Sequence, residues 1–454
     1  MKQFLKPMGI GIWFLLFVLH VAATGAGAQS VLPIIEVPNP PNAVAQQSKP
    51  YVVLVSLDGF RYDYAERYGA KNLLALARRG ASVPEGMIPS YPSITFPNHY
   101  TIVTGLYPEH HGIVANTFYD PARKERYAYN DQKTLADGAW YGGTPLWVLA
   151  EKQGMRAASF FWPGSEAEIQ GKRPSYYLAF DDKLPDDERI EQILAWLRLP
   201  PGQRPHFITL YYANVDHAGH TYGPETPETA EAVRHVDDLV GKLDAHLSML
   251  HLPIDLIVVS DHGMELTQGG WITLDKWADL SRFETSGPLL YAPSEADAEK
   301  AYESLRGASD TFKVYRQAEM PKELHHDLNP RGGDPVVVLT GPYNVAAHEP
   351  RSNGNPMTPS RGAHGYDPRM MPSMKAIFYA AGPDIRPGVV LPPFENIHVY
   401  PVIAKILGLR IGQIDGRLSV LQGILKEPPR PSAQPPKGPG ASAGVRFDFF
   451  PPAP

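Results

Sequence analysis

Seven side chains able to hold a divalent cation are spread along this chain, each where an apolar run or a loop ends: Asp58, Thr95, Asp216, His220, Asp261, His262 and His364. Leu54-Val55-Ser56-Leu57-Asp58-Gly59 and Ile257-Val258-Val259-Ser260-Asp261-His262-Gly263 are apolar runs closing on a carboxylate, with a glycine beside it that keeps the backbone open for a metal or phosphate. Asp216-His217-Ala218-Gly219-His220 sets Asp216 and His220 one helical turn apart, the spacing of a two-ligand chelate, and turns His217 elsewhere. Thr95 lies in Ser93-Ile94-Thr95-Phe96-Pro97-Asn98-His99, near the cap of an expected helix with Pro97 in its first turn. A threonine hydroxyl is inert at neutral pH unless a cation acidifies it, and a helix N-terminus attracts phosphate. His364, between glycines in Arg361-Gly362-Ala363-His364-Gly365-Tyr366, offers the further nitrogen that two sites require. The chemistry indicated is two-metal phosphoryl transfer. Two divalent cations are roughly neutralised by three carboxylates and an ionised hydroxyl, which favours a phosphodiester monoanion over a dianionic monoester.

Each residue also has an ordinary job. Asp-Gly after a strand is commonly a turn, Asp216 and His220 could form an ion pair, and a threonine at a helix start is commonly a cap. The aromatic residues named below could be core packing. The weight lies in the combination.

The composition narrows the setting. The chain has 454 residues, net charge −6 and 43% hydrophobic residues, enough for a large core and without a basic block for coating a nucleic-acid polymer. There is no cysteine. Carboxylate, imidazole and hydroxyl donors remain, a set that suits zinc first and manganese second. Lys2 and Lys6 precede an apolar run over residues 8–23 and the small-x-small Ala26-Gly27-Ala28. This is an export-leader pattern over residues 1–28, too short for a bilayer span. A cysteine-free exported protein is ordinary in a bacterial periplasm, so a periplasmic or secreted location without a stable membrane anchor is expected.

The elements that must position these residues follow from periodicity. Residues 29–50 are Pro- and Gln-rich and read as a linker. Strand-like runs at 52–57, 207–212, 256–260 and 376–381 alternate with helical periods at 73–79 and 227–247. In the last of these, Val233, Val236, Leu239, Val240, Leu243 and Leu247 share a face, after Thr226-Pro227 as cap and first turn. The pattern predicts an α/β domain over 51–425: a doubly wound, mostly parallel sheet with helices on both faces. Ligands then sit at the carboxyl ends of strands, where Asp58 and Asp261 fall. Residues 282–360 predict a smaller α+β insertion, and 426–454 a Pro-rich tail.

Seven strings, in order, resemble the nucleotide pyrophosphatase/phosphodiesterase family of the alkaline phosphatase superfamily. They are Ser-Leu-Asp-Gly-Phe-Arg (56–61), Thr-Phe-Pro-Asn-His-Tyr-Thr-Ile-Val-Thr-Gly-Leu-Tyr-Pro-Glu (95–109), His-Gly-Ile-Val-Ala-Asn (111–116), Phe-Trp-Pro-Gly-Ser (161–165), Asp-His-Ala-Gly-His (216–220), Ser-Asp-His-Gly-Met (260–264) and His-Gly-Tyr-Asp (364–367). The resemblance spans residues 50–425 and is to the bacterial type in which the catalytic domain stands alone. It implies an alkaline-phosphatase-like fold and two zinc ions per chain. One ion would be held by Asp58, Thr95, Asp261 and His262, the other by Asp216, His220 and His364. It implies that Thr95 attacks phosphorus to give a phosphothreonine that water hydrolyses. Asn116 and the backbone N–H of Thr95 or Phe96 would hold a non-bridging oxygen. It also implies a nucleobase slot with Phe96 on one side and Phe180, where relatives usually carry tyrosine, on the other. Tyr211 and Trp162 would line that slot.

The leading reading is an exported zinc-dependent hydrolase that cleaves phosphodiester or pyrophosphate bonds of nucleotides and releases nucleoside monophosphates. The alternatives are a glycerophospho- or lysophospholipid head-group diesterase, a phosphomonoesterase on the same fold, and a non-catalytic binding protein. For the lipid reading, Tyr176, Tyr177 and Tyr211 would supply an aromatic cage for a quaternary ammonium.

Overall fold

A computed structural model describes residues 32–427. The leader expected at 1–28 and the Pro-rich tail beyond its first two residues lie outside the described residues. Contacts divide the chain into Met1–Ile34 and Ile35–Pro454, and every element below belongs to the second unit.

Among the described residues one large sheet is built from β1 (Ile35–Glu36), β2 (Tyr51–Leu57), β3 (Ala81–Ser82), β4 (Ala157–Phe160), β5 (Tyr176–Leu178), β6 (Phe207–Tyr212), β7 (Ile254–Val259), β8 (Phe378–Ala381) and β9 (Val389–Val390). Their order is β1-β5-β4-β6-β2-β7-β8-β3-β9. The centre, β5-β4-β6-β2-β7, is parallel, and β8 returns antiparallel beside β7. All seven residues of β2 are buried, as expected for a strand covered on both faces. Val52 and Leu54 join Trp147, Tyr400 and Ile403 in the main apolar cluster. That cluster holds α2 (Thr95–Thr104), α3 (Leu146–Lys152) and α8 (Val399–Leu407) against one face. By the pleat, Val53, Val55 and Leu57 face the other way. There α1 (Lys71–Arg79) and α4 (Asp186–Leu197) pack with the long α6 (Pro227–Met249). The expected α6 cap forms, with Thr226 Oγ1 accepting from the Thr229 N–H. The doubly wound, mostly parallel α/β fold is therefore the one the periodicity predicts.

Two stretches differ from their sequence reading in detail. Residues 35–50, expected as a linker, dock on the domain. β1 pairs with β5, and the buried Asn42 amide donates to the carbonyls of Pro201 and Arg204 while accepting from the Arg156 N–H. Those partners are remote in sequence, so composition could not reveal them. The smaller α+β part starts before residue 282, because Trp271–Thr273 pairs with Asn344–Ala346. It includes α7 (Glu295–Leu305) and the antiparallel pair Phe312–Tyr315 and Val336–Leu339. Leu274, Leu290, Leu305, Phe312 and Val337 give it an apolar core of its own.

Candidate active site

Parallel pairing of β2 and β7 brings their carboxyl ends together, so Asp58 and Asp261, one and two residues beyond those strands, become neighbours. The Gly59 N–H donates to Asp261 Oδ1 at 3.3 Å. Asp216 and His220 lie on α5 (Asn214–Tyr222), whose Asp216 N–H donates to the Asp58 carbonyl at 3.1 Å. The glycines beside the carboxylates serve packing rather than an open approach for a ligand. Gly59 has φ +69°, and a Cβ there would lie 2.8 Å from Asp216 Cα. At Gly263 a Cβ would lie 2.0 Å from the Ser373 carbonyl oxygen.

The donor atoms converge in two linked groups. His220 Nε2 lies 3.4 Å from Asp216 Oδ1 and 3.1 Å from His364 Nε2. His262 Nε2 lies 3.0 Å from Asp261 Oδ2, 3.5 Å from Asp58 Oδ1 and 3.3 Å from Thr95 Oγ1. Each imidazole is oriented through its other nitrogen: His220 Nδ1 on the Gly362 carbonyl, His364 Nδ1 on that of Ser93 and His262 Nδ1 on that of Gly263. A carbonyl can only accept, so each Nδ1 carries a proton and each Nε2 is the atom available to a cation. Two neutral imidazoles would meet lone pair to lone pair at 3.1 Å, an arrangement a cation between them reverses. Asp58 Oδ1, Asp216 Oδ1 and Asp261 Oδ2 are buried without a hydrogen-bond partner. Such oxygens are costly unless something positive meets them. The residues present therefore fit divalent cations.

His99 also lies here, 3.3 Å from Asp261 Oδ2, and with Asp58 and Asp261 it forms a third geometrically possible metal group. Its chemistry argues against that role. His99 Nδ1 donates to the Thr95 carbonyl, and Nε2 bonds Ser56 Oγ at 2.8 Å. Both ring nitrogens are engaged, so His99 offers no free nitrogen to a cation. The sequence reading missed it, although a residue four beyond Thr95 on a helix must lie beneath it.

Thr95 is the first residue of α2, and its hydroxyl does not cap the helix; Ile94 holds the cap position. The hydroxyl points instead toward His262 Nε2. Phe96 N–H donates to Asn116 Oδ1 at 2.9 Å. Of the two expected backbone donors, Phe96 is thus already engaged, and this bond turns the Asn116 NH₂ outward as the free donor.

Electrostatics sharpen the picture. Burial, then the charges of Asp261 and Asp216, push the Asp58 carboxyl well above its usual range. Burial acts on Asp261 too, but His262 and His99 outweigh it and hold the group well below that range. Burial, reinforced by His262 and His220, drives His364 well below the usual imidazole value. Burial opposes protonation of His262, but Asp261 outweighs it and raises that imidazole above its usual value.

A cavity of about 410 Å³ opens onto this cluster, lined among others by Asp58, Thr95, Asn116, Asp216, His220 and His364. Phe96, Phe180, Tyr211 and Trp162 line it as well. Phe96 packs against Tyr129 at 5.7 Å, and the half-exposed Phe180 meets Phe161 edge-on at 5.3 Å. Trp162 is buried and donates from Nε1 to the His99 carbonyl. Tyr211 is tied to the cation cluster, its hydroxyl donating to Asp58 Oδ2 at 2.6 Å. Tyr129, Phe161 and Glu166 were not foreseen, and His217, expected to face elsewhere, also lies on the wall. The aromatic cage considered for a quaternary ammonium does not assemble. Tyr176 and Tyr177 do not line the cavity, and the Tyr176 hydroxyl is bonded to Arg156 and to the Gln203 carbonyl.

The family model described as type I phosphodiesterase / nucleotide pyrophosphatase matches residues 52–367. A fission-yeast (Schizosaccharomyces pombe) protein described as an uncharacterized pyrophosphatase/phosphodiesterase is 37% identical over 378 residues, covering 79% of this chain and 77% of its own length. Human ectonucleotide pyrophosphatase/phosphodiesterase family member 1 is 36% identical over 408 residues, 86% of this chain, which spans 43% of that protein. The solved structure of murine ectonucleotide pyrophosphatase/phosphodiesterase 5, an inactive threonine-to-alanine form in complex with AMP, superposes with TM-score 0.77 at 27% identity. It covers 83% of this chain and 100% of the solved one.

Proposed function

The chain belongs to the type I phosphodiesterase/nucleotide pyrophosphatase family, and from that footing we propose that it is a metal-dependent hydrolase of nucleotide phosphodiester and pyrophosphate bonds that releases nucleoside monophosphates. One observation carries the reading: three buried, unpartnered carboxylate oxygens facing imidazole nitrogens whose opposite nitrogens are fixed by carbonyls. Asp58, Thr95, Asp261 and His262 would hold one divalent cation and Asp216, His220 and His364 the other, with zinc favoured by the mixed donors. When bound, the two cations supply Lewis-acid charge to the phosphoryl oxygens and to the threonine hydroxyl.

The chain's own residues then divide the work. Thr95 Oγ1 forms the new bond to phosphorus while the bond to the leaving oxygen breaks on the far side. Water hydrolyses the resulting phosphothreonine, freeing the nucleoside monophosphate and restoring the hydroxyl. Asn116, its oxygen held by Phe96 N–H, donates from Nδ2 to a non-bridging oxygen, and the first turn of α2 adds its dipole. Tyr211 holds Asp58. Phe96 and Phe180 take the base, with Trp162 behind them; AMP in the murine relative supports a nucleotide occupant. Residues 51–425 are read as the catalytic domain. The leader pattern at 1–28 supports an exported, periplasmic or secreted enzyme, and no helix among the described residues is long and apolar enough to cross a membrane.

The test is kcat/KM of the zinc-loaded protein on p-nitrophenyl thymidine monophosphate, ATP, p-nitrophenyl phosphate and p-nitrophenylphosphorylcholine, with Thr95→Ala alongside. Preference for the first two, falling about a thousandfold or more in the variant with metal content retained, supports the proposal. Dominant activity on the monoester or the choline ester moves the assignment, and no activity at all leaves a binding protein.

A further inference from the structure

A second cavity meets the same centre from the other side of Asn116 and His364, which line both. It measures about 330 Å³ and lies where the sheet domain abuts the smaller α+β part. Tyr91 and Val114 come from the former, Leu289, Val336 and Val345 from the latter. No Lys, Arg, Asp or Glu lines it. One buried histidine does: His326 is 3% exposed, and its ring packs edge-on against Tyr91 at 5.4 Å. The Gly332 backbone lies against its Nε2, and burial lowers the ring's pKa to about 4, so it is neutral at pH 7.

A phosphodiester has two arms, and in-line displacement sends them to different places. The first cavity carries the aromatic residues suited to a base. Thr95 lines only the first; the second is reached at His364, which belongs to the donor group with Asp216 and His220 rather than to the one beside Thr95. We propose that this second cavity receives the leaving group, and that it selects an uncharged, largely apolar alcohol. This rests on the hydrolase reading above. The bond broken is that between phosphorus and the leaving oxygen. Phosphorus stays on Thr95 and then on the oxygen of water, and the alcohol departs with a proton from solvent. A pyrophosphate leaving group would find no cationic side chain in this lining and is expected to stay at the solvent side.

Leu289→Trp and Val345→Trp fill the cavity from positions that are only half-buried. For the zinc-loaded protein, the measured quantity is the ratio of kcat/KM on the naphthyl ester of thymidine monophosphate to that on ATP. Each variant should lower this ratio by about tenfold or more, the scale on which an apolar pocket discriminates. Should both variants fail to fold, Leu289→Ala decides, since a larger cavity should shift preference from the naphthyl toward a bulkier pyrenyl ester. A ratio unmoved in folded, metal-loaded variants overturns the leaving-group assignment and leaves the hydrolase reading intact. Wild-type protein that cleaves neither substrate overturns the hydrolase reading, and this inference with it.

Discussion

Tyr211→Phe probes how the cation cluster is held. The Tyr211 hydroxyl donates to Asp58 Oδ2 at 2.6 Å, both residues being buried, while Asp58 Oδ1 has no hydrogen-bond partner and faces His262. The substitution removes one oxygen and keeps the ring on His99 and Phe180. A hydrogen bond to a buried charged group contributes about 1.5–3 kcal/mol. A cation requires Asp58 ionised, so the loaded protein loses that contribution in full. Without a cation, burial and the neighbouring carboxylates favour the neutral acid, which loses less. The difference should appear as zinc affinity weakened about ten- to a hundredfold, the usual effect of removing a group that orients a ligand. Zinc competition against a chelator of known affinity measures it, with thermal melts of loaded and stripped protein alongside. The loaded Tm should fall more than the stripped one, because weaker binding stabilises the native state less. Zinc affinity within about twofold of wild type, with equal Tm shifts in both forms, would refute the reasoning and leave Tyr211 as a wall residue only.

Asn116→Ala should lower kcat about a hundred- to a thousandfold with KM nearly unchanged; an unaltered kcat in stopped-flow assays would show that the amide holds no phosphoryl oxygen. Glu166 accepts from the Phe180 N–H at 3.1 Å and from the Gln132 side chain at 2.9 Å, joining two edges of the first cavity. Glu166→Ala should therefore raise KM for nucleotides several-fold, roughly 1 kcal/mol of lost positioning, with kcat preserved and Glu166→Gln partly restoring it. A fall in kcat alone would contradict that role. Away from the site, burial and then Asp384 raise Asp255 to about 8, although its Oδ1 accepts from the Asp384 N–H. A carboxyl whose folded pKa is raised holds its proton more tightly when folded. Its stabilising contribution is full below the unfolded value near 4 and is lost as pH rises through 8. Asp255→Asn should thus gain stability over wild type between pH 5 and pH 9, by roughly 1–3 kcal/mol in denaturant melts; parallel pH profiles would exclude it.

What could be read from sequence was what has a short period or a sharp boundary. Apolar runs ending at Asp58 and Asp261 mark strand ends, and parallel pairing of adjacent strands then leaves little freedom in where the carboxylates meet. The four-residue spacing of Asp216 and His220 fixes a common helix face. Residues whose roles depend on register or on distant loops left no such mark. Tyr211 reaches Asp58 because it pairs opposite Ser56, a register that no local pattern specifies. Tyr129, Phe161 and Glu166 arrive on loops with no periodicity, and the docked strand at Ile35–Glu36 is hidden in a Pro-rich stretch.

The residues that were legible and those that were not also differ in energetic kind. Asp58, Asp216 and Asp261 each keep one buried oxygen unpartnered, and His220 and His364 oppose nitrogen to nitrogen. A core under selection for stability alone would replace such groups with apolar residues, since an unpaired buried charge is strongly destabilising. The residues missed from sequence do the reverse. His99 bonds Ser56 and the Thr95 carbonyl, and Glu166 accepts from Phe180 and Gln132. The strained groups stand out because they violate the rules of a stable core, and the satisfied ones blend into it. An electrostatic deficit concentrated at one place, within scaffolding that is otherwise well bonded, is what a site completed by cations requires.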